Sequence, residues 1–148
     1  MKKNKEIEEF QKHLPIIKNI LGWSDKQMGE KIGISRQSVN NLIHGRFALS
    51  ESMYRLIRYV IDDEINAKPK EETEMIRLFL DAFIDNPNQY SVETKDKIYK
   101  ETDIYSSALG NKKIQSKEVS NRWRAALISI GAITIGALAA IVAGRWKK

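Results

Sequence analysis

Several residue types and patterns are missing from this sequence, and each absence excludes a class of protein. The 148 residues include no cysteine, which excludes a disulfide framework and a thiolate metal site. The two histidines, His13 and His44, lie far apart and have no acidic or thiol companion at the spacing of metal ligands. The first twenty residues mix acids, lysines and amides and contain no apolar stretch as long as that of a signal peptide, so we predict no cleaved signal.

The sequence also lacks the residue patterns that are typical of enzyme active sites. The chain shows no paired carboxylates, no nucleophile beside a base and no phosphate-binding loop. We therefore expect neither an enzymatic activity nor a cofactor.

Acidic residues are missing from the C-terminal part of the chain. The formal charge of +6 consequently divides unevenly, with +2 on residues 1–66, −1 on residues 67–121 and +5 on residues 122–148. Because most of the basic excess lies at the C-terminus, the overall charge gives no support to nucleic-acid binding by the rest of the chain.

The most informative stretch is Ser24 to Gly45, which has the pattern of two short helices joined by a tight turn. Ser24 is placed to cap a first helix of about residues 25–32, and Gly33 can adopt the positive φ that a tight turn requires. Ser35 is placed to cap a second helix over residues 36–44, which Gly45 would end. The spacing thus predicts a helix-turn-helix.

The second of these helices has two clearly different faces. An apolar face of Val39, Leu42 and Ile43 is predicted to point inward, because these residues recur at intervals of three and four. The opposite face carries no acid and consists of Arg36, Gln37, Asn40, Asn41 and His44. Arginine pairs with guanine, and glutamine or asparagine with adenine, in the major groove of DNA. We therefore interpret this as a DNA-reading helix.

The same stretch resembles the helix-turn-helix of the phage-repressor family (Cro-like, xenobiotic-response-element type). The resemblance covers about residues 14–60 and rests on Leu21-Gly22, Ser24, Gly29, Ile32-Gly33-Ile34-Ser35, Val39 and Leu42. It implies that base edges are contacted by Arg36, Gln37, Asn40 and Asn41. It also implies that the sugar-phosphate backbone of double-stranded DNA is contacted by Ser35, Ser38, His44 and Arg46.

Three positions depart from the pattern of that family. Gly29 replaces the usual alanine, and His44 stands where asparagine commonly precedes the final glycine. Asp25 replaces a neutral or basic residue on the phosphate side, which would weaken affinity for the DNA backbone.

Helices are also predicted on both sides of this motif, giving a domain of four to five helices over residues 1–67. A helix over about residues 4–13 is followed by Pro15, which either starts a new helix or kinks a continuous one. After Ser50 we predict a helix over residues 51–66, with an apolar stripe of Met53, Leu56, Ile57, Val60, Ile61 and Ile65. Part of this wide stripe is either core or the contact of a homodimer.

A middle segment, residues 68–121, follows the break at Lys68-Pro69-Lys70. We predict two amphipathic helices in it, over residues 71–85 and 91–109, and then a polar linker or frayed helix over residues 110–121. The apolar positions of the second helix are Val92, Ile98, Tyr99, Ile104, Tyr105 and Leu109. The two helices could form a hairpin, pack on the first domain or bind a protein partner.

The C-terminal segment, residues 122–148, contains 19 uncharged residues from Ala125 to Ala143. A helix of that length spans about 28 Å, close to the thickness of the hydrocarbon core of a bilayer. Trp123 and Trp146 would lie at the two interfaces. We therefore predict a single transmembrane helix, whose small residues could pack against a second copy at Ala132, Gly136, Ala140 and Gly144.

Together these patterns predict an all-α protein with a helix-turn-helix domain, a helical middle segment and a single C-terminal transmembrane helix. The leading interpretation is a bacterial, phage or plasmid transcriptional regulator that binds specific DNA sequences as a dimer. It would be tethered in the cell membrane with its N-terminal domain in the cytoplasm. Two alternatives stay open: a membrane-anchored interaction protein whose helix-turn-helix binds a protein partner, and a tether that holds plasmid or phage DNA at the lipid bilayer.

Overall fold

The computed structural model describes residues 2–111 and 116–144, and within these ranges all regular secondary structure is helical. The predicted all-α class is therefore confirmed for this part of the chain. The helices are α1 (Lys2–Lys12), α2 (Leu14–Leu21), α3 (Asp25–Ile32), α4 (Arg36–Ile43), α5 (Glu51–Asn66), α6 (Glu74–Leu80), α7 (Val92–Asn111), α8 (Ser116–Ser129) and α9 (Ile135–Gly144). A π-helical turn, Asp81–Asp85, extends α6, and short 3-10 turns precede and follow this pair.

Five helices form the N-terminal part, as predicted. Pro15 lies in the first turn of α2, where its missing N–H costs little, so it starts a new helix rather than kinking α1. The serine caps are also as predicted, because Ser24, Ser35 and Ser50 each accept a hydrogen bond from a backbone N–H in the first turn of the following helix.

The core of this N-terminal part also includes residues from the middle segment. Ile76, Phe79 and Leu80 of α6 and Ile84 of the π-helical turn are buried together with residues from α1 to α5. An ion pair between Arg58 Nη1 and Asp85 Oδ1, 2.8 Å apart, joins α5 to the same turn. α6 therefore packs on the first domain, which is one of the three arrangements predicted for the middle segment.

The predicted apolar stripes of α5 and α7 are only partly buried. On α5, Ile57, Ile61 and Ile65 belong to the core, whereas Leu56 is exposed and stays available for the alternative of a homodimer contact. Tyr54, which the stripe did not include, is buried in the core. On α7, Ile98 is buried, whereas Val92 and Ile104 face solvent. Aliphatic spacing alone did not separate the core from the exposed side of these two helices.

A second core lies between α6, α7, α8 and α9. Its buried members are Met75, Leu78, Ala82, Ile98, Val119, Trp123, Leu127, Ala132, Ile133, Leu138 and Ile141. Residues 116–121, predicted to be linker or frayed helix, belong to α8, and Val119 contributes to this core. Residues 112–115 lie outside the described ranges.

The predicted transmembrane helix over residues 125–143 is wrong, because the structure divides it into two shorter helices. α8 ends at Ser129, and Gly131 follows with a φ of 75°. The N–H groups of Gly131 and Ala132 donate to the carbonyls of Ile128 and Leu127, which satisfies the last carbonyls of α8 in a Schellman motif. Thr134 then caps α9, since its hydroxyl accepts from the N–H of Ala137 over 3.0 Å.

The predictions that depended on this transmembrane helix also need correction. Across residues 2–111 and 116–144, no helix combines the length and the apolar character needed to cross a bilayer. The single-pass arrangement in a cell membrane is therefore wrong. Trp123 is buried in the second core rather than placed at an interface, and Trp146 lies outside the described ranges.

The four small residues predicted to pack in the membrane do not form one helical stripe. Ala132 is buried in the connection between α8 and α9. Gly136 and Ala140 are exposed on α9, and Gly144 is its last residue. Their predicted role has no basis in this arrangement.

Candidate nucleic-acid interface

The helix-turn-helix is built by local capping at each junction. Ser24 and Gln27 form a capping box at the start of α3, in which each side chain bonds the backbone of the other residue at 3.0 and 2.9 Å. Gly33 ends α3 with a φ of 81°, and its N–H donates to the Gly29 carbonyl over 2.8 Å. Ser35 then starts α4, because its Oγ accepts from the N–H of Ser38 over 3.0 Å.

Gly29 of α3 lies close to the backbone of the turn that leads into α4. A Cβ atom placed on Gly29 would lie 2.6 Å from the carbonyl oxygen of Ile34 and 3.4 Å from the carbonyl carbon of Ser35. No larger residue fits there without a backbone shift. Glycine at this position therefore sets how closely the two helices pack.

α4 exposes the predicted site residues and buries its apolar face. Val39 and Leu42 are buried, and Ile43 is partly buried against the same core. None of the eight predicted site residues is buried: Ser35, Arg36, Gln37, His44 and Arg46 are exposed, and Ser38, Asn40 and Asn41 are half-buried. We call the surface formed by these eight residues the reading face.

Arg46 lies against the asparagines of the reading face. Its Nη1 donates to Asn40 Oδ1 over 2.8 Å and to Asn41 Oδ1 over 3.0 Å. Gln37 Nε2 approaches the same Asn41 oxygen at 3.3 Å. Gly45, with a φ of 66°, turns the chain back so that the Arg46 N–H reaches the Asn41 carbonyl at 2.9 Å. Sequence reasoning had assigned Arg46 to the DNA backbone and missed its link to the two asparagines.

Asp25 also borders the reading face, but its negative charge is paired. Lys18 Nζ lies 2.6 Å from Asp25 Oδ1, and Asn40 Nδ2 lies 3.4 Å from Asp25 Oδ2. Partial burial by itself would raise the pKa of Asp25, but the hydrogen bond and charge of Lys18, aided by Asn40 and His44, outweigh it and lower the pKa. Lys18, which sequence reasoning did not single out, thus offsets the negative charge of Asp25 that would weaken affinity for the DNA backbone.

Gln11 of α1 holds the loop between α4 and α5 in place. Its Nε2 donates to the carbonyls of Leu42 and Phe47, over 3.0 and 2.9 Å, and its Oε1 accepts from the N–H of Leu49 over 2.9 Å. These three bonds satisfy backbone groups at both ends of the loop that carries Arg46. Sequence reasoning missed this role, because nothing in the polar pattern of α1 distinguishes Gln11 from its neighbours.

Compared with known proteins, the chain matches no family model, no curated protein and no solved structure. Its resemblance to the Cro-like family therefore stays a prediction from the residues of the motif. Within residues 2–111 and 116–144, no group of three or more His, Cys, Asp or Glu side chains is placed to hold a metal ion.

Proposed function

We propose that this protein is a sequence-specific DNA-binding regulator whose α4 enters the major groove. The observation that carries the proposal is the composition of the reading face. On one side of a helix whose other side is buried, it presents Arg36 and Gln37 exposed and two half-buried asparagines. Such side chains form the hydrogen bonds that distinguish base pairs in the major groove. The membrane tether expected from the sequence is not part of this proposal.

Each group of residues has a separate role in the proposed complex. Arg36 and Gln37, in the first turn of α4, contact base edges, since the N-terminal part of a recognition helix reaches deepest into the groove. Ser35, Ser38 and His44 contact phosphates, which position the protein without specifying sequence.

We also propose that the protein binds DNA as a dimer through α5. Leu56 and Tyr59 are exposed on this helix, 41% and 71% respectively. An antiparallel crossing centred on Tyr59 places Arg55 of one copy opposite Asp63 of the other, because these residues lie four positions before and after it. Both are exposed, and Arg55, which lies 2.6 Å from Glu51 of its own copy, has further N–H groups to donate to Asp63. This face is therefore complementary to itself in charge as well as apolar at its centre.

The test is selection of binding sites from random duplex DNA by the full chain. The wild-type protein should enrich a defined sequence, and its affinity for that sequence should fall steeply with salt. Arg36→Ala and Gln37→Ala should each remove preference at one or two base pairs, costing about 1–3 kcal/mol there. Arg122→Ala is the matched control, because Arg122 is an exposed arginine on α8, paired with Glu118 at 2.6 Å.

An enriched sequence that neither Arg36→Ala nor Gln37→Ala alters would contradict the assignment of α4 as the reading helix. Absence of any enriched sequence would contradict DNA recognition altogether.

A second candidate function is recognition of a protein partner by the same motif. One observation favours it: Phe47, directly after Arg46, is 48% exposed, and an exposed aromatic ring is typical of a protein-binding surface. The two functions differ in their response to Phe47→Ala, which should abolish partner binding but leave the selected DNA sequence unchanged.

A further inference from the structure

The oxygen atoms of the two asparagines on the reading face are oriented by Arg46. A guanidinium group has five N–H donors and no acceptor, so an atom that it contacts at hydrogen-bond distance must be an acceptor. Nη1 of Arg46 lies 2.8 Å from the side-chain oxygen of Asn40 and 3.0 Å from that of Asn41. The amide groups therefore cannot be turned the other way while Arg46 stays in place.

Asn40 is fixed from its other end as well. A carboxylate is an acceptor, and Asp25 Oδ2 lies 3.4 Å from Asn40 Nδ2. With its oxygen held by Arg46 and its nitrogen beside Asp25, Asn40 connects α3 to Arg46 in the loop after α4. Asn41 is then the asparagine more available to a base.

The carbonyl of Asn41 has no capacity left for adenine. A side-chain carbonyl oxygen has two lone pairs, and here two donors approach it, Arg46 Nη1 at 3.0 Å and Gln37 Nε2 at 3.3 Å. Recognition of adenine by asparagine needs this oxygen to accept from adenine N6 while the nitrogen donates to N7. Asn41 can offer only its two N–H donors, which match the paired acceptors O6 and N7 of guanine.

We propose that Arg46 sets the base preference of Asn41, turning an asparagine that would select adenine into a donor that selects guanine. This inference rests on the proposed function, since it assigns a preference to the same reading face. Arg46 is a positioning residue here: it acts through Asn41, in addition to any contact with phosphate.

The experiment is selection of binding sites by the full chain, with wild-type protein and three variants in parallel. Asn41→Ala identifies the base pair that Asn41 reads, because preference is lost at that position. Arg46→Met removes the guanidinium but keeps an unbranched stem, and so frees one lone pair of the Asn41 carbonyl, while Gln37 can still donate to the other. Arg122→Met on α8 is the control for loss of one exposed arginine.

We expect wild-type protein and Arg122→Met to select guanine at the position that Asn41→Ala identifies. Arg46→Met should favour adenine there, with the ratio of the two affinities changed by about tenfold or more. Preference at the positions read by Arg36 should be the same in all four proteins.

Two results would overturn the inference while leaving the proposed function intact. One is selection of adenine by the wild-type protein at the position of Asn41. The other is an equal loss of affinity for all sequences in Arg46→Met, which would make Arg46 a phosphate contact alone. If the wild-type protein selects no sequence, the proposed function fails, and this inference fails with it.

Discussion

The indole nitrogen of Trp123 donates a hydrogen bond to the hydroxyl of Thr102 over 3.0 Å, and both side chains are fully buried. The bond joins α8 to α7 at the centre of the second core. A buried indole N–H needs a hydrogen-bond acceptor, and the hydroxyl of Thr102 on α7 supplies it. This pair is the clearest sign that the C-terminal helices pack as part of the protein core.

Removal of the Thr102 hydroxyl tests this pair directly. Thr102→Val keeps the shape of the side chain but leaves the Trp123 N–H buried without its acceptor, so we expect the free energy of unfolding to fall by about 1–3 kcal/mol. Urea denaturation monitored by tryptophan fluorescence measures the change. Ile104→Ala, at a position that is 60% exposed on the same helix, should change stability by less than about 0.5 kcal/mol. Equal effects of the two substitutions would contradict the buried pair.

The close approach at Gly29 gives a second prediction. Gly29→Ala would place a Cβ 2.6 Å from the Ile34 carbonyl oxygen, so the turn must shift, and we expect a loss of about 1–3 kcal/mol in stability. This loss should outweigh the gain of about 1 kcal/mol that alanine normally brings to a helix. A matched control is Gly136→Ala on α9, where nothing lies within 4 Å of the added Cβ and stability should be unchanged or higher. Thermal unfolding of both variants decides the comparison.

Much of the N-terminal fold could be predicted from sequence, because its signals are local. α3 and α5 begin and end at the predicted residues, and α4 is one residue shorter than predicted. Serine caps determine the starts of these three helices, and glycines with positive φ follow the ends of α3 and α4, whereas α5 is followed by Ala67, whose φ is negative. Both signals act over three or four residues. The contacts of Gln11 and Lys18 could not be predicted in the same way, because each bridges separate helices.

The C-terminal segment shows why a hydropathy pattern alone misled. The run of 19 uncharged residues predicts one helix, although Gly131 and Thr134 within it are typical of a helix end and a helix start. Leu138, Ile141 and Val142 of α9 are buried, so other parts of the protein cover part of the apolar surface of this helix. Sequence periodicity did not reveal that α6 would supply part of this cover, since both faces of α6 are buried.

The burial of His13 predicts a dependence of stability on pH. Its ring packs among Phe79, Phe83 and Tyr99, with centroids 5.3–6.0 Å away, and its Nδ1 lies 2.8 Å from the Glu9 carbonyl. Burial lowers the pKa of His13, although the hydrogen bond and charge of Glu9 oppose the shift.

Because the pKa of His13 is lower in the folded chain than the value of about 6.5 in the unfolded chain, the unfolded state binds the proton more readily. The contribution to stability is complete above pH 6.5 and is lost as pH falls through the folded pKa. His13→Phe should therefore flatten the fall in unfolding free energy as the pH drops below about 6.5. His44→Gln, which removes the other histidine from an exposed position, serves as the control. An unchanged slope in His13→Phe would contradict the assignment.

The proposed dimer gives the last prediction. Tyr59→Glu places a charge at the centre of the α5 face, where two copies would bring two carboxylates together, so we expect a shift from dimer to monomer. Tyr59 is 71% exposed, and the fold of each copy should persist, as circular dichroism can verify. Sedimentation equilibrium measures the change in mass, with Val92→Glu, at a position that is 73% exposed on α7, as the control.

The same pair of variants also links the dimer to DNA binding. A dimer contacts two half-sites about one helical turn apart, so loss of the dimer should weaken affinity for the full selected site much more than for a single half-site. Val92→Glu should bind both as the wild-type protein does. A wild-type chain that is monomeric in sedimentation and selects a single half-site would contradict the α5 dimer while leaving the reading face of α4 in place.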